Sequence, residues 1–570
     1  MDLHTFWGSV RHWYSTKNQA TLIWTAVLLL EMLALAILHH VWRDDPKKLT
    51  LWRRLALIPL LTGILHLFIY VCPNWDHTGV FIGIYLIAFI SIVPMLLAKR
   101  KTGYRVFSVI TGLLTVIFSV LFTALSPSVT FLTNKSYTES FRAAVRELDR
   151  YYVLKDWKGV DFDALEEKYL PRIEAAEKAD DPAAFVDAVG DFTLELHDGH
   201  VDWGHSREID MSRSRYRQHE YGLGLIPLSS GEVIAVCTAD EVQKKGITEG
   251  TVITKWNGKP VAQAVKEDTR ESGSPVKEND DLLRTVNLSG VGGESVTVTF
   301  LDSSGSEQTV TLDDLGEKHS IRETLDLLAY GGDPDEDVDN FSTKMLDEKC
   351  GYLMMIAERT GNPVQELLGY LRGDDKWTRE MLREKLRELK AQGMESLVID
   401  LRENDGGMHE VGMALVSLLT KDDWYGQGLA VYKDGKYECV SDHRITGDGE
   451  FADLKVAVLA NYSCESAGDG TAYYLSRLPN VTVMGMTDPV GCGQETGGNI
   501  MLTDDLVQIL YPRGLCLNED GEPNIDTRAD RVSRNPVGVR IPLDMDAAMR
   551  IFRDRKDYEL EYALQYLKEQ

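Results

Sequence analysis

Residues 456–469 read Val-Ala-Val-Leu-Ala-Asn-Tyr-Ser-Cys-Glu-Ser-Ala-Gly-Asp, and this stretch defines the predicted architecture. Its first five residues form a continuous apolar run, which is typical of a strand buried on both faces of a sheet. The run passes through a short polar segment into a predicted helix at 467–477. Further apolar runs at 396–401 and 481–485 alternate with predicted helices. From Gly351 onward the sequence therefore predicts an α/β layered core with ligands at the carboxyl ends of its strands.

Two of these strand ends carry residues that suit acyl-transfer chemistry. Ser466 stands where a predicted strand passes into a helix, near the positive end of the helix dipole, and the N–H of Ala467 follows it. The strand at 396–401 ends before Gly406-Gly407, whose N–H groups could turn inward to hold an oxyanion. A serine at a helix start is also a common N-cap residue, and paired glycines are common in tight turns. The pattern alone leaves structural and catalytic roles open.

The N-terminal part has a different composition from the rest of the chain. Residues 1–127 contain 11 Lys and Arg and 5 Asp and Glu, a net charge of +6, whereas residues 128–570 carry −33. Apolar runs at about 21–42, 55–72, 79–98 and 106–126 are each long enough to cross a hydrocarbon core of ~30 Å. The sequence therefore predicts a membrane domain with four transmembrane helices at 1–127. The acidic remainder argues against nucleic-acid binding, because it repels phosphate.

The charged loops between these runs predict an orientation. Lys and Arg concentrate between the first and second runs and between the third and fourth, and positive loops stay in the cytoplasm. Residues from about 130 onward are therefore expected outside the cytoplasm. The chain is therefore predicted to be a multi-pass protein of the cell membrane, in contact with the lipid bilayer.

Between the membrane segment and the core, two further domains are predicted. Helical periodicity covers 137–218, a small β domain covers 219–312, and the catalytic core covers 313–570. The run Gly222-Leu223-Gly224-Leu225, followed by Trp256-Asn-Gly-Lys-Pro-Val, resembles a PDZ domain. That resemblance implies that Gly222 to Leu225 hold a peptide, added as a strand, by its terminal carboxylate. A β spacer that binds nothing is the alternative.

The cysteines and histidines show no familiar metal pattern. The seven cysteines are dispersed, and neither CxxC nor HExxH occurs. The sequence therefore predicts no zinc site of these kinds, and no cofactor. Cys464 and Cys492 could form a disulfide or remain free thiols.

Several short motifs occur together in a fixed order. They are Asp198-Gly-His200, the PDZ-like insert, Gly351-Tyr-Leu, Asp400-Leu-Arg-Glu-Asn-Asp-Gly-Gly407, Ser466-Ala-Gly-Asp and Gly521-Glu-Pro-Asn-Ile-Asp526. This set resembles the tail-specific or C-terminal processing serine proteases, including the branch typified by the tricorn core protease. The resemblance implies a crotonase-like or ClpP-like α/β core and protein or peptide substrates. It also implies that Ser466 is the nucleophile and that the N–H groups of Ala467 and of Gly406 or Gly407 form the oxyanion hole.

One branch of this family pairs its serine with a lysine about 25 positions downstream. Here residues 491 and 492 are Gly and Cys, and no lysine occurs between Ser466 and Lys556. A Ser-Lys dyad in that arrangement is excluded.

The other branch uses histidine, and His200 matches it. An imidazole can accept the serine proton at neutral pH and return it to the leaving amine. The resemblance assigns the orienting acid to Asp526, where the family motif has Glu. Three nearby acids (Glu519, Asp520, Glu522) are alternatives for that role, and His409 is a rival base.

The predicted function is that of a membrane-anchored, extracytoplasmic serine endopeptidase with a PDZ-like substrate-binding domain. The alternative is a catalytically silent relative, a membrane-tethered module that binds peptides.

Overall fold

A computed structural model describes most of the chain. The described residues are 44–55, 128–316, 319–331, 339–360, 376–433 and 436–570, with part of 27–42 and residues 58, 362 and 365. Within them, contacts define one unit that comprises most of 145–570 and a smaller unit that includes residues 497–510.

The predicted membrane anchor needs correction. None of the helices in the described residues is long and apolar enough to cross a membrane. The four-helix anchor is therefore wrong as a description of the fold, and the multi-pass location and the contact with a lipid bilayer lose their basis with it. Apart from Leu55, Ile58 and part of 27–42, the predicted spans lie outside the described residues.

The described chain contains both helices and strands. The helices are α1 (Pro46–Leu55), α2 (Tyr137–Tyr151), α3 (Lys155–Lys158), α4 (Phe162–Ala179), α5 (Pro182–Leu194), α6 (Asp240–Gln243), α7 (Val261–Asp268), α8 (Lys277–Leu288), α9 (Ser320–Tyr330), α10 (Lys376–Ala391), α11 (His409–Leu419), α12 (Ala467–Ser476), α13 (Met545–Ala548) and α14 (Tyr558–Glu569). The strands are β1 (Ser128–Phe131), β2 (Asp202–His205), β3 (Gly224–Pro227), β4 (Val233–Val236), β5 (Val252–Trp256), β6 (Lys259–Pro260), β7 (Ser295–Leu301), β8 (Glu307–Asp313), β9 (Phe341–Met345), β10 (Cys350–Met355), β11 (Ser396–Asp400), β12 (Trp424–Lys433), β13 (Lys436–Ile445), β14 (Lys455–Leu459), β15 (Val481–Gly485), β16 (Glu495–Met501), β17 (Val507–Leu517) and β18 (Val539–Arg540).

The central sheet confirms the predicted α/β fold. Its strand order is β18-β15-β14-β11-β10-β9, and every pair is parallel except the antiparallel pair of β9 and β10. Leu397 and Ile399 pack on one face with α10, α11 and α12, whereas Val398 packs on the other face with α14. Burial on both faces explains why these strands are apolar at successive positions. β11 and β14 are neighbours, so their carboxyl ends open side by side.

A buried arginine fixes the end of β11. Arg402 is 2% exposed, and its guanidinium donates to the carboxylates of Asp400, Asp557 and Glu559 at 2.6–3.2 Å. A buried cation needs such partners because burial removes its hydration. The network joins the strand end to the start of α14, which begins at Tyr558.

The small β domain forms a separate antiparallel sheet. Its strand order is β3-β4-β5-β7-β8, with β6 paired to β5. Trp256 is fully buried in its core and donates its indole N–H to Val291 O at 2.7 Å. A third set of strands contains the β12–β13 hairpin, and β12 also pairs with β17. In the smaller unit, β1 pairs in parallel with residues 498–501 of β16.

Candidate active site

Ser466 lies at the junction of β14 and α12 in an unusual backbone conformation. Its φ of 55° and ψ of −123° fall where residues other than glycine rarely occur. Its side chain makes no N-cap hydrogen bond, and Oγ bonds to none of the residues that the structure describes. The structural alternative of an N-cap serine therefore does not account for this residue. The geometry leaves its hydroxyl available for chemistry.

The Gly406-Gly407 turn lies directly against Ser466. A Cβ atom added to Gly406 would stand 2.5 Å from Ser466 Cβ and 2.9 Å from the backbone N of Ala467, so only glycine fits. The N–H of Gly406 donates to Asn404 Oδ1 at 2.9 Å. By contrast, the N–H groups of Gly407 and Ala467 find no acceptor within the described part of the chain. Of the two glycines, Gly407 is the one with an N–H left for a ligand.

His200 is held by a chain of side chains. Asp198 Oδ1 accepts the backbone N–H of His200 at 2.9 Å, and Asp198 Oδ2 accepts the hydroxyl of Tyr152 at 2.6 Å. The ring Nδ1 of His200 lies 2.6 Å from Gln494 Oε1. Gln494 in turn donates Nε2–H to Asp526 Oδ1, which also accepts the N–H of Gly493 at 3.1 Å.

These hydrogen bonds determine the tautomer of the His200 imidazole. Because Gln494 Nε2 is the donor to Asp526, Gln494 Oε1 must accept, and His200 Nδ1 must carry the proton. His200 Nε2 is then the basic nitrogen. No residue that the structure describes bonds to His200 Nε2. Asp526 thus reaches the imidazole only through Gln494, a residue that the sequence analysis did not single out.

Asp526 is fully buried, and its surroundings change its acidity. Burial and the nearby Asp198 raise its pKa to about 7, although the buried ammonium of Lys158 and the N–H of Gly493 oppose this shift. Asp526 Oδ2 is buried and bonds to no residue of the described ranges. The group therefore changes from acid to carboxylate near neutral pH.

The alternative acids and the rival base have other partners. Glu519 pairs with Arg477 at 3.5 Å and Glu522 with Arg528 at 3.4 Å, while Asp520 is exposed. His409 contacts Glu410 and His443 instead, and burial lowers its pKa to about 4.

A buried carboxyl group links the glycine turn to both site helices. Glu358 Oε1 accepts from Thr471 Oγ1 of α12 at 2.5 Å, and Oε2 accepts from Gly412 N of α11 at 3.1 Å. Its backbone N–H donates to Gly406 O at 2.7 Å, and its carbonyl accepts from Met408 N at 2.9 Å. Burial raises the pKa of Glu358 to about 8, so this carboxyl is largely protonated at neutral pH. Sequence reasoning missed it because nothing around Glu358 marks it as more than a strand end.

The cysteines near the site are free thiols. Cys464 and Cys492 are both buried, and burial raises the pKa of each. A Cβ atom on Gly199 would stand 2.7 Å from Cys492 Sγ, so the Asp-Gly-His turn packs against that thiol.

The proposed peptide-binding residues are covered. All four residues from Gly222 to Leu225 are buried. The carboxylate of Glu220 accepts the N–H of Gly222 at 2.7 Å and that of Ser320 at 2.9 Å. A Cβ atom on Gly224 would stand 1.9 Å from Thr324 Oγ1 of α9. In this conformation, the N–H of Gly222 already donates to the carboxylate of Glu220 and is not available to the terminal carboxylate of a peptide.

Comparisons with known proteins find two local family matches and a shared fold. Residues 368–528 match peptidase family S41, and residues 133–187 match the tricorn protease C1 domain. No curated protein matches the chain. The structure of mature CPAF complexed with lactacystin aligns with a TM-score of 0.51 and 13% identity, over 76% of this chain and 97% of that one. At this identity the likeness shows a shared fold.

Two other solved structures align less well. A putative peptidase from Parabacteroides merdae has a TM-score of 0.42 and 15% identity, over 76% of this chain and 97% of that one. The photosystem II D1 C-terminal processing protease has a TM-score of 0.35 and 17% identity, over 73% and 97%. The S41 match spans Gly406, Gly407 and Ser466, and the chain is a serine-type peptidase with a region similar to peptidase family S41.

Proposed function

We propose that this chain is a Ser-His endopeptidase, in which Ser466 is the nucleophile and His200 the general base. The observation that carries the proposal is the backbone of Ser466, whose φ of 55° presents an uncapped hydroxyl beside the free N–H of Ala467. Such strain costs about 1–3 kcal/mol and persists where function requires it. A silent peptide-binding relative would gain nothing from that cost, so the strain favours the catalytic alternative.

In the proposed reaction these groups act in sequence. His200 Nε2 takes the proton of Ser466 Oγ as Oγ attacks the carbonyl carbon of a peptide bond. The negative oxygen of the tetrahedral intermediate is stabilised by the N–H groups of Gly407 and Ala467. The imidazolium then gives its proton to the leaving amine, and the C–N bond breaks.

Water completes the cycle. It attacks the acyl ester on Ser466 and gives its proton to His200, which returns it to Ser466 Oγ as the product acid leaves. Gln494 keeps the imidazole in its Nδ1-protonated form through both halves, and Asp526 supports Gln494. We assign Asp526 the orienting role through this amide rather than by direct contact.

The substrates we propose are proteins and peptides, with the sheet of β3 to β8 as a PDZ-like binding domain. Because Glu220 already accepts the N–H of Gly222, a peptide carboxylate must displace Glu220 to bind there. Peptide binding at this loop is therefore coupled to movement of Glu220 away from Ser320 in α9.

The experiment that tests the proposal needs no knowledge of the natural substrate. The full chain is treated with a fluorophosphonate probe, and the labelled peptide is identified by mass spectrometry. We expect labelling at Ser466, its loss in Ser466→Ala and a strong reduction in His200→Ala. Ser476→Ala and His205→Ala are matched controls, since both residues are exposed and lie outside the site. Label that persists in Ser466→Ala would refute the assignment of Ser466 as the nucleophile. Digestion of casein by the same proteins measures turnover.

A further inference from the structure

Three metal-binding side chains that the proposed mechanism does not use meet at the start of α11. His409 and Glu410 are the first two residues of this helix, and His443 lies on β13. His409 Nε2 lies 3.2 Å from Glu410 Oε1 and 3.3 Å from His443 Nδ1, and His443 Nδ1 lies 3.9 Å from Glu410 Oε1. All three side chains are at most one-fifth exposed.

These distances match a metal coordination sphere. The point equidistant from the three atoms lies about 2.0 Å from each, and zinc binds imidazole nitrogen at ~2.0–2.1 Å and carboxylate oxygen at ~2.0–2.2 Å. An ion at that point, or slightly to one side of the plane, would contact all three ligands without movement of the backbone. A fourth position would remain for water.

One carboxylate oxygen of the cluster has no hydrogen-bond partner among the described residues. Glu410 Oε2 is buried and accepts no hydrogen bond from the residues that the structure describes. Its only ion-pair partners in the described chain are His409 and His443, and neither Lys nor Arg is among them. Buried carboxylates are normally paired with a cation or coordinate a metal. Two imidazoles and one carboxylate converge here with no permanent positive charge.

We propose that His409, Glu410 and His443 bind one divalent transition-metal ion, and that Zn²⁺ suits this donor set best. Imidazole and carboxylate ligands in a three-ligand arrangement are typical of zinc sites. The ion would join the start of α11, two residues after Gly407, to β13 of the β12–β13 hairpin. Its role is to position the glycine turn, and no step of the proposed peptide cleavage passes through it.

Sequence motifs do not reveal this site. His409 and Glu410 are adjacent, but His443 stands 34 positions after His409 on a separate element. No spacing rule for Cys and His ligands covers that arrangement. The prediction of no zinc site, made from motifs, does not extend to ligands that only the fold brings together.

Binding of Co²⁺ and Zn²⁺ to the full chain tests the proposal. We expect one equivalent of Co²⁺ to give the visible absorption of a four-coordinate site, and Zn²⁺ to displace it. Glu410→Gln keeps the side-chain shape, and His443→Ala removes one nitrogen. Each should weaken Zn²⁺ at least 100-fold in competition with a chromophoric chelator, because each removes one of three ligands.

Two matched variants separate this site from other histidines. His200→Ala and His205→Ala should keep the full stoichiometry and affinity. Circular dichroism and the melting temperature verify that each variant is folded, and if His443→Ala fails to fold, Glu410→Gln decides the question. Absence of four-coordinate Co²⁺ binding by the native chain would overturn the proposal. So would unchanged affinity in folded Glu410→Gln, or loss of binding in His200→Ala.

Discussion

Replacing Gln494 with alanine tests the indirect link between Asp526 and His200, the proposed base. Gln494 makes the only hydrogen bond to the ring of His200 among the residues that the structure describes, at 2.6 Å. When His200 takes the serine proton, this bond becomes charge-assisted, and such bonds contribute about 1.5–3 kcal/mol. With about 1.4 kcal/mol for each tenfold change in rate, Gln494→Ala should lower kcat/KM by about 10- to 150-fold. This loss is smaller than the several orders of magnitude expected for His200→Ala.

The assay is kcat/KM on a fluorogenic casein, with active enzyme counted by fluorophosphonate titration. Gln392→Ala is the matched control, because Gln392 is exposed at the end of α10 and should leave kcat/KM unchanged. Gln494→Glu adds a direct test of orientation, since its carboxylate accepts from His200 Nδ1 and holds the same tautomer when protonated Asp526 donates to its other oxygen. We expect it to recover activity to within about tenfold of the native enzyme. A Gln494→Ala enzyme with native kcat/KM would refute the reasoning, as would one as inactive as His200→Ala at an unchanged melting temperature.

Three other perturbations have expected outcomes. Gly406→Ala should lower kcat/KM at least ~100-fold, because its Cβ would stand 2.5 Å from Ser466 Cβ, and a native-like rate would contradict this close packing. The kcat/KM of Asp526→Asn should equal the native value below pH 7 and fall to about one-tenth of it above pH 7, because only ionised Asp526 adds negative charge behind Gln494. The ratio of the two pH–rate profiles measures this change. A ratio that does not depend on pH would count against it. Glu358 has a pKa raised from 4.5 to about 8, so its contribution to stability is full below pH 4.5 and is lost as the pH rises through 8. In the native chain the free energy of unfolding should fall with pH by at most about 1.4 kcal/mol for each pH unit, and Glu358→Gln should lack this fall. Urea unfolding at several pH values measures both. Identical slopes of unfolding free energy against pH would show that Glu358 does not titrate as described.

Much of the architecture could be predicted from local patterns. The strands at 396–400, 455–459 and 481–485 are continuous apolar runs because the sheet buries both of their faces, and that signal is strong in the sequence. The positions of Ser466 and of the glycine pair at neighbouring strand ends follow from the same pattern. The domain limits and the catalytic roles, which no observation tests directly, stay predictions.

Other features depend on contacts that sequence does not encode locally. The link between His200 and Asp526 passes through Gln494, which lies 294 positions from His200. Ser466 has a positive φ where Gly406 packs against it, and this close approach has no local signal in the sequence. The predicted spanning helices are contradicted within the described residues, where none of the helices is long and apolar enough to cross a membrane.

The Arg402 network also bears on when a newly made chain can become active. Ribosomes release the polypeptide from its N-terminal end, so Arg402 emerges 155 residues before Asp557 and 157 before Glu559, and the Gly406 turn follows it closely. Until those two carboxylates arrive, the guanidinium at the end of β11 lacks most of its negative partners, and burial of a cation stripped of its partners costs about 3–5 kcal/mol. We therefore expect the strand end beside Ser466, the proposed nucleophile, to reach its final packing only late in translation. We therefore expect the candidate site to stay incomplete until residues 557–559 have been synthesised.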